Sequence, residues 1–392
     1  MIQAVLLAAG KSTRTYPLTL TRPKPLLTVC NKTIIEHNLE QLNGIADEVI
    51  IVVNYLKEQI IEKIGNKYKS IKIKYVTQDE PLGTGHALMA AKEHLKGKFI
   101  VMNGDDFFSK SDIKKCLLYE YCVLCKELDN TSGFGVIEEE KGIFKKIYEK
   151  TELSDSRLVN TGLYVFDKNI FENNLVKSVR GEYEIIDYLN ILTSQNKKVY
   201  CEKVKDYWIP IVYPWNLLDA NSFFLKKMKK KSAKGYTSIN GNIVIEKGTK
   251  ILPGVITEGN IMIGENCKIG PNCYLRDGTT IGNNCHIGQA VEIKNSIIGN
   301  NSKVPHLSYV GDSVIGENVN LGAGTITANL RHDNSNVKSV IKGALIDSKR
   351  RKLGTIIGDN VHTGIHTSIY PGRKIWPNMS TKPGEIVNKD IQ

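Results

Sequence analysis

No stretch of this 392-residue chain is both apolar enough and long enough to cross a bilayer, and its first residues form a short strand-like run rather than a leader. That excludes a membrane-spanning protein and points to the cytosol. Aromatic residues make up only 7% of the chain and never interleave with a basic run, which argues against nucleic acid as the partner despite a net charge of +12. The eight cysteines form no paired metal-binding motif. Cys267, Cys273 and Cys285 sit where a small apolar residue is wanted, and Cys122 and Cys125 lack a second pair, so all eight read as reduced thiols. The positive balance instead suits small anionic substrates such as nucleotides and sugar phosphates.

What is present divides the chain in two. From residue 245 to 293 an apolar residue returns at every sixth position, as Ile245, Ile251, Thr257, Ile263, Ile269, Leu275, Ile281, Ile287 and Ile293. Helices recur at 3.6 residues and strands at 2, so neither accounts for this period. A parallel β-helix does, because each six-residue unit is one short face and one corner. Gly, Asn and Asp supply the positive φ that the corners need. After slips at Ile298, Val304 and Val310 the period returns at Ile357, Thr363, Ile369 and Ile375.

Residues 1–226 lack that period. Apolar runs at residues 3–7, 48–53, 71–76 and 99–102 alternate with helical patterns at 32–42 and 85–95. This predicts a Rossmann-like α/β domain with a mostly parallel sheet, and ligands at the carboxyl ends of its strands. Residues 214–231 predict a helix, residues 227–236 a linker, and residues 237–392 the second domain, with a basic insert at 338–352.

The strongest local signal runs from Leu7-Ala8-Ala9-Gly10-Lys11-Ser12-Thr13-Arg14 to Arg22-Pro23-Lys24-Pro25. A strand end opens into a small-residue turn whose backbone N–H groups can approach phosphates, with Lys11, Arg14 and Lys24 as neutralising charges. It is not a Walker loop, since Gly-Lys-Ser lacks the preceding glycine at the required distance. This string resembles the sugar-1-phosphate nucleotidyltransferase family. The resemblance implies that Leu7, Ala8, Ala9 and Gly10 bind nucleotide, with Gln78, Gly83 and Thr84 around the base. It also implies that Arg14 and Lys24 are catalytic and that Asp105 is the Mg²⁺ ligand; Asp106 reads first as a surface carboxylate and second as an alternative ligand. Gly135, Glu149, Lys150 and Asn160 match the sugar-phosphate pocket. Where many relatives carry a second metal-binding carboxylate in Trp-x-Asp, this chain has Trp208-Ile209-Pro210; Asp206 and Asn216 are candidates to replace it.

From Ser302 to Asn329 the chain is similar to the acetyltransferase domain of bifunctional bacterial enzymes that make UDP-N-acetylglucosamine. That likeness implies His306 as general base, with Arg276, Lys294, Tyr309 and Asn320 on the sugar phosphate and Ala323 and Asn329 at acetyl-CoA. An amine attacking a thioester must shed a proton, and imidazole suits the task because it titrates near neutral pH. Backbone N–H groups at residues 322–324, or the Asn329 amide, are the candidate donors to the oxyanion. Past Asn329 the likeness fails, and the ending looks more like archaeal bifunctional sugar-1-phosphate enzymes. The resemblance thus implies a left-handed β-helix, UTP and acetyl-CoA as co-substrates, and a homotrimer or dimer of trimers. A single-activity nucleotidyltransferase with a structural coil and an inactive regulatory subunit are the competing readings.

Overall fold

The computed structural model describes residues 1–149, 156–229, 237–238 and 240–392. The chain forms two compact units: residues 1–11, 23–26 and 34–210 make one, and residues 12–22, 27–33 and 211–392 the other.

The first unit is built on a ten-stranded sheet. Its strands are β1 (Gln3–Leu7), β2 (Glu48–Val53), β3 (Lys67–Tyr68), β4 (Ile71–Thr77), β5 (Phe99–Asn103), β6 (Cys122–Glu127), β7 (Gly135–Glu140), β8 (Ile143–Glu149), β9 (Leu158–Phe166) and β10 (Tyr200–Lys203), in the order β7-β8-β10-β6-β9-β5-β1-β2-β4-β3. The parallel set β5-β1-β2-β4 is the one the apolar runs predicted. It is extended by β9, which runs antiparallel to both β5 and β6, so the complete sheet is mixed rather than mostly parallel. Every residue of β2 is buried, as expected of a central strand covered on both faces. Helix Ile34–Leu42 falls within its predicted segment; Thr84–Ala90 starts one residue before the predicted 85–95 and stops short of its end, where a separate turn, Lys92–His94, follows.

In the second unit the chain visits three parallel sheets in rotation, a first holding Ile243–Ile245 and Ile261–Ile263, a second holding Lys250–Ile251 and Lys268–Ile269, and a third holding Ile256–Thr257 and Tyr274–Leu275. Ile245 pairs with Ile263 and Ile263 with Ile281, a step of 18 residues. Each coil is therefore three of the six-residue units read from the sequence. The periodic residues stack inward as one dry column, from Ile243 to Val387. Thr257, the polar member of the 245–293 series, is 1% exposed. The slips near Ile298 are coils one residue shorter, taken up at corners such as Asn295.

Corners carry the conformational cost. Asn266, Asn284, Asn301, Asn318, Asn360 and Asn378 all have φ between 55 and 64°. Asparagine tolerates this region because its short amide bonds locally. Asn318 Nδ2 donates to Asn360 Oδ1 at 3.2 Å, and Asn360 Nδ2 to Asn378 Oδ1 at 3.0 Å, so one coil's corner holds the next.

The basic insert is a side excursion from one coil. It is closed by an antiparallel bridge between Leu330 and Lys352 and contains a hairpin, Lys338–Ile341 with Ala344–Asp347. The coil resumes at Gly354, where a Cβ would come within 2.1 Å of both Gly311 O and Ser313 Oγ. Ser339 Oγ donates to Gly372 O at 2.8 Å and Lys374 Nζ to Val340 O at 2.5 Å, pinning the hairpin down. The helix predicted for residues 214–231 is Asn216–Lys227, and residues 230–236 of the predicted linker lie outside the described residues. All eight cysteines are free, and among the described residues no helix is long and apolar enough to cross a membrane.

At the corners, Asn360→Ala keeps a Cβ at φ 60° but removes the amide that bonds the corners above and below. It lowers stability by about 1–2 kcal/mol, and Asn360→Gly by less, read from the midpoint of urea unfolding. Lys374 is 2% exposed, and burial pushes its ammonium down to about 8 from 10.5, with Asp390 opposing. Between those values the unfolded chain binds the extra proton, so stability rises with pH across that window and is flat below it. Lys374→Met removes this rise, on the order of 2 kcal/mol, in unfolding followed from pH 7.5 to pH 10.5.

Candidate functional site

In the first unit the predicted nucleotide residues gather at the carboxyl ends of β1, β2, β4 and β5. The chain leaves β1 with Ala8 N donating to Val52 O at 2.8 Å, and Gly104 N, just past β5, donates to Leu7 O at 2.9 Å. This brings the Leu7–Gly10 turn beside Asp105. Lys24, 6% exposed, places Nζ 2.7 Å from Asp105 Oδ2. A buried ammonium and a half-open carboxylate thus share the strand ends. Arg14 lies exposed in the turn Thr13–Thr15, a segment grouped with the second unit.

Gln78 follows β4, with its N–H on Val53 O at 2.9 Å, and is 4% exposed. Its amide nitrogen donates to Gly83 O at 3.0 Å, and Thr84 Oγ1 accepts from Ile185 N at 3.1 Å. On the far side of the sheet Gly135 pairs with Glu149 in register, and the Asn160 Cβ lies close to Gly135. Asn160 Nδ2 donates to Tyr164 OH at 2.6 Å, and its Oδ1 accepts from Gly162 N. Lys150 lies outside the described residues, as does the side chain of Glu149.

Asp106 is no surface carboxylate. It is 8% exposed and accepts from Trp208 Nε1 at 3.3 Å, so it anchors the Trp208–Ile209 strand. Asn216 Oδ1 accepts from Val212 N and Tyr213 N, which commits it to starting the helix that follows. Asp206 is exposed. Among the described residues no group of three or more His, Cys, Asp or Glu can hold a metal by itself. Asp105 is the carboxylate at these strand ends that would hold a divalent ion, which would neutralise phosphate charge there.

In the second unit a third-sheet face presents Arg276, Lys294 and Tyr309, because Leu275, Ile293 and Val310 align in register and the residues beside them project outward. A hollow of about 230 Å³ is lined by Glu258, Arg276, Asp277, Lys294, Asn295 and Asp312. Arg276 Nη1 is 2.8 Å from Glu292 Oε1, and that bond raises its pKa. Asp312 is 4% exposed and takes Asn295 Nδ2 at 2.7 Å, Asn329 Nδ2 at 2.6 Å and Lys294 Nζ at 3.8 Å. Burial pushes Lys294 down; Asp312 opposes this, and Lys352 adds to it. Lys294 is therefore a partly buried cation that faces Asp312 across a hollow shared with Arg276, Glu258 and Asp277.

The remaining predicted residues lie elsewhere on the coil. His306 is an exposed residue at the end of the strand Lys303–His306, its ring makes no hydrogen bond among the described residues, and its carbonyl accepts Gly324 N. Ala323 O accepts His366 N at 2.7 Å, and Asn320 bridges Lys303 and His362 on the second sheet. Of the candidate oxyanion donors, Gly322 N is already bonded to Thr363 Oγ1 and the Asn329 amide to Tyr309 OH and Asp312.

Sequence reading missed Asp312, Lys352 and the segment 182–185. Lys352 was grouped with a basic run, and nothing local marks it as Lys294's neighbour. Asp312 occupies a corner position with φ 49°, where an Asp looks merely conformational.

A ten-stranded α/β unit with a charged strand-end loop, joined to a coil with a hollow where Arg276 and Lys294 meet carboxylates, is the organisation of a two-site transferase. The nucleotidyl transferase family profile matches residues 3–227, and that of the GMPPB C-terminal domain matches residues 257–384. The chain is 46% identical, over its whole length and 96% of the relative, to the bifunctional protein GlmU of Methanococcus maripaludis. It is 39% identical to the bifunctional sugar-1-phosphate nucleotidylyltransferase/acetyltransferase of Sulfurisphaera tokodaii, over all of this chain and 98% of that one. A crystal structure from Bacillus anthracis, described as a glucose-1-phosphate thymidylyltransferase, shares the fold of the first half. Its TM-score is 0.52 at 24% identity, over 57% of this chain and 95% of that one. The chain belongs to the nucleotidyl transferase family, in its bifunctional nucleotidylyltransferase/acetyltransferase branch.

Replacing Lys294 by Met leaves Asp312 without its cation and the hollow without its central charge. Binding of glucosamine 1-phosphate weakens about tenfold or more, measured by calorimetry on the full chain.

Proposed function

We propose that this chain is a two-headed enzyme of UDP-N-acetylglucosamine biosynthesis. Its second unit, a left-handed parallel β-helix, acetylates the amine of glucosamine 1-phosphate, with galactosamine 1-phosphate as the other amino sugar it suits. Its first unit transfers the uridylyl group of UTP to N-acetylglucosamine 1-phosphate. The observation that carries this reading is the hollow that turns Arg276 and Lys294 to one cavity, since a coil that only supports has no use for it.

In the acetyl site the sugar amine attacks the thioester carbon of acetyl-CoA, the C–S bond breaks, and His306 takes the proton that the nitrogen loses and returns it to the departing thiol. Arg276 and Lys294 hold the phosphate, Tyr309 and Asn320 fix the sugar, and Ala323 and Asn329 lie along acetyl-CoA. Asn320 belongs to a different sheet from Arg276 and Lys294, which supports sites completed between copies of the chain in a homotrimer or a dimer of trimers.

In the nucleotidyl site a sugar-phosphate oxygen attacks the α-phosphorus of UTP in line and pyrophosphate leaves. Residues 7–10 receive the triphosphate, Gln78, Gly83 and Thr84 the base, and Gly135, Glu149, Lys150 and Asn160 the sugar. Lys24 and Arg14 neutralise charge on the transferring phosphoryl group. Mg²⁺ bound with the triphosphate at Asp105 supplies further neutralisation of its oxygens. With phosphates as most of its ligands, that ion tolerates the loss of a second carboxylate at Pro210.

The test follows free thiol and pyrophosphate separately in one mixture of acetyl-CoA, UTP, Mg²⁺ and glucosamine 1-phosphate. The wild-type chain releases both. His306→Ala cuts thiol release by about 10²–10⁴-fold and spares pyrophosphate release when N-acetylglucosamine 1-phosphate is supplied; Lys24→Ala does the reverse, by about 10²–10³-fold. Pyrophosphate without thiol from the wild type makes the coil a scaffold, and thiol without pyrophosphate makes the first unit inactive.

A further inference from the structure

We infer that His86 sets which way the Gln78 amide faces, and through it which base the nucleotidyl site accepts; this rests on the proposed assignment of Gln78 to the base.

Gln78 Nε2 has two acceptors, Gly83 O at 3.0 Å and His86 Nδ1 at 3.2 Å. The first is a carbonyl and accepts only. For the second to accept, the imidazole must carry its proton on Nε2. Both hydrogens of the amide are then held by the protein, and the nitrogen cannot exchange places with the oxygen. Oε1 faces the other way, and among the described residues no donor takes it.

The clamp on this pair is rigid. The His86 ring stacks on Tyr183, with centroids 6.2 Å apart and planes 26° apart. Tyr183 N donates to Leu82 O and Gly85 N to Tyr183 O, both at 2.8 Å. Gly83, at φ 103°, runs so close that a Cβ would lie 2.5 Å from Tyr183 O. Neither Gly83 nor His86 is free to shift and release the amide.

An amide locked in this way shows the base an acceptor and nothing else. Uracil and thymine answer it with their N3–H. Cytosine offers an N3 lone pair in the same place, so two acceptors meet and the site rejects it. Without the His86 acceptor one hydrogen of the amide loses its partner, and the flipped orientation, which donates to cytosine N3, becomes accessible. His86 is a positioning residue on this account, since it acts through Gln78.

The experiment measures pyrophosphate release by the full chain with UTP, dTTP and CTP, using N-acetylglucosamine 1-phosphate and Mg²⁺, for the wild type, His86→Phe and His86→Asn. Phenylalanine keeps a ring on Tyr183 but has no acceptor; asparagine puts Oδ1 where Nδ1 stands. The expected result is a fall of about tenfold in the UTP-to-CTP ratio of kcat/KM for His86→Phe, carried by KM. Asparagine restores the ratio to within about threefold, and UTP-to-dTTP preference holds throughout. Turnover of saturating UTP stays near the wild-type kcat in both variants, which establishes that the first unit folds. The inference is overturned if His86→Phe keeps the wild-type ratio, or if it slows all three nucleotides equally and asparagine does not restore the rate. Gln78→Ala is run beside them. If it leaves base preference intact, Gln78 does not read the base and the underlying assignment fails; if it abolishes the preference while His86→Phe does not, only the role of His86 fails.

Discussion

The second unit depends on one constraint: every coil must set an inward residue on the residue below it, and every corner must close within a residue or two. The inward column supplies cohesion, since each aliphatic side chain contributes about 1.5–3 kcal/mol on burial. It also fixes register, because a strand of two or three residues has too few hydrogen bonds to do so alone. Once Leu275, Ile293 and Val310 are stacked, Arg276 and Lys294 have no choice of direction. The site is a by-product of core packing, which is why its cations stand together without any sequence motif joining them. The same stacking ties Arg22 to the coil: it bonds Glu317 and Asp359 at 2.7 and 2.6 Å, and that pairing outweighs the cost of burying it.

Where a column gives direction, Asp312 gives charge. It is the one sealed carboxylate of the hollow, and three donors, from Lys294, Asn295 and Asn329, share it. A carboxylate so occupied organises the donors without leaving a full negative charge to repel a phosphate. Lys294 remains partly uncompensated, with Lys352 against it. The strand-end site of the first unit is balanced otherwise. There Lys24 and Asp105 pair one to one, at 2.7 Å.

The period of six was legible because it is a local rule repeated many times, and the strand-end strings were legible because each is contiguous. The sheet's second half was not. β9 lies between β5 and β6 and runs antiparallel to both, a pairing of distant segments that no apolar pattern reports. Glu149 and Gly135 were brought together only by resemblance, and they meet because β7 and β8 pair. Asp106 looked like an exposed neighbour of Asp105; burial beneath Trp208 depends on a chain segment far along the sequence. Tyr183 was invisible for the same reason, since its work is done through backbone atoms at Leu82 and Gly85. What sequence conceals here is consistently a contact between separate segments that no local pattern marks.

The insert shows how such a coil acquires chemistry. A stack of parallel strands accepts an excursion wherever the chain can leave and return at the same rung. The antiparallel bridge between Leu330 and Lys352 meets that condition, with Gly354 packed against Gly311 to restore the path. The inward column is untouched, because Ile315 pairs with Ile357 as if the excursion were absent. Its cost to the fold is therefore confined to anchoring the hairpin, through Ser339 and Lys374, and to the pair between Arg350 and Asp219. The return point is not neutral, however. Leu353 N bonds Asn329 O and Gly354 N bonds Asp312 O, so the residue before them, Lys352, arrives next to Lys294 by the geometry of re-entry. An excursion at any other rung would have delivered its cation elsewhere, so the position of the insert bears on the site's charge as directly as its composition does.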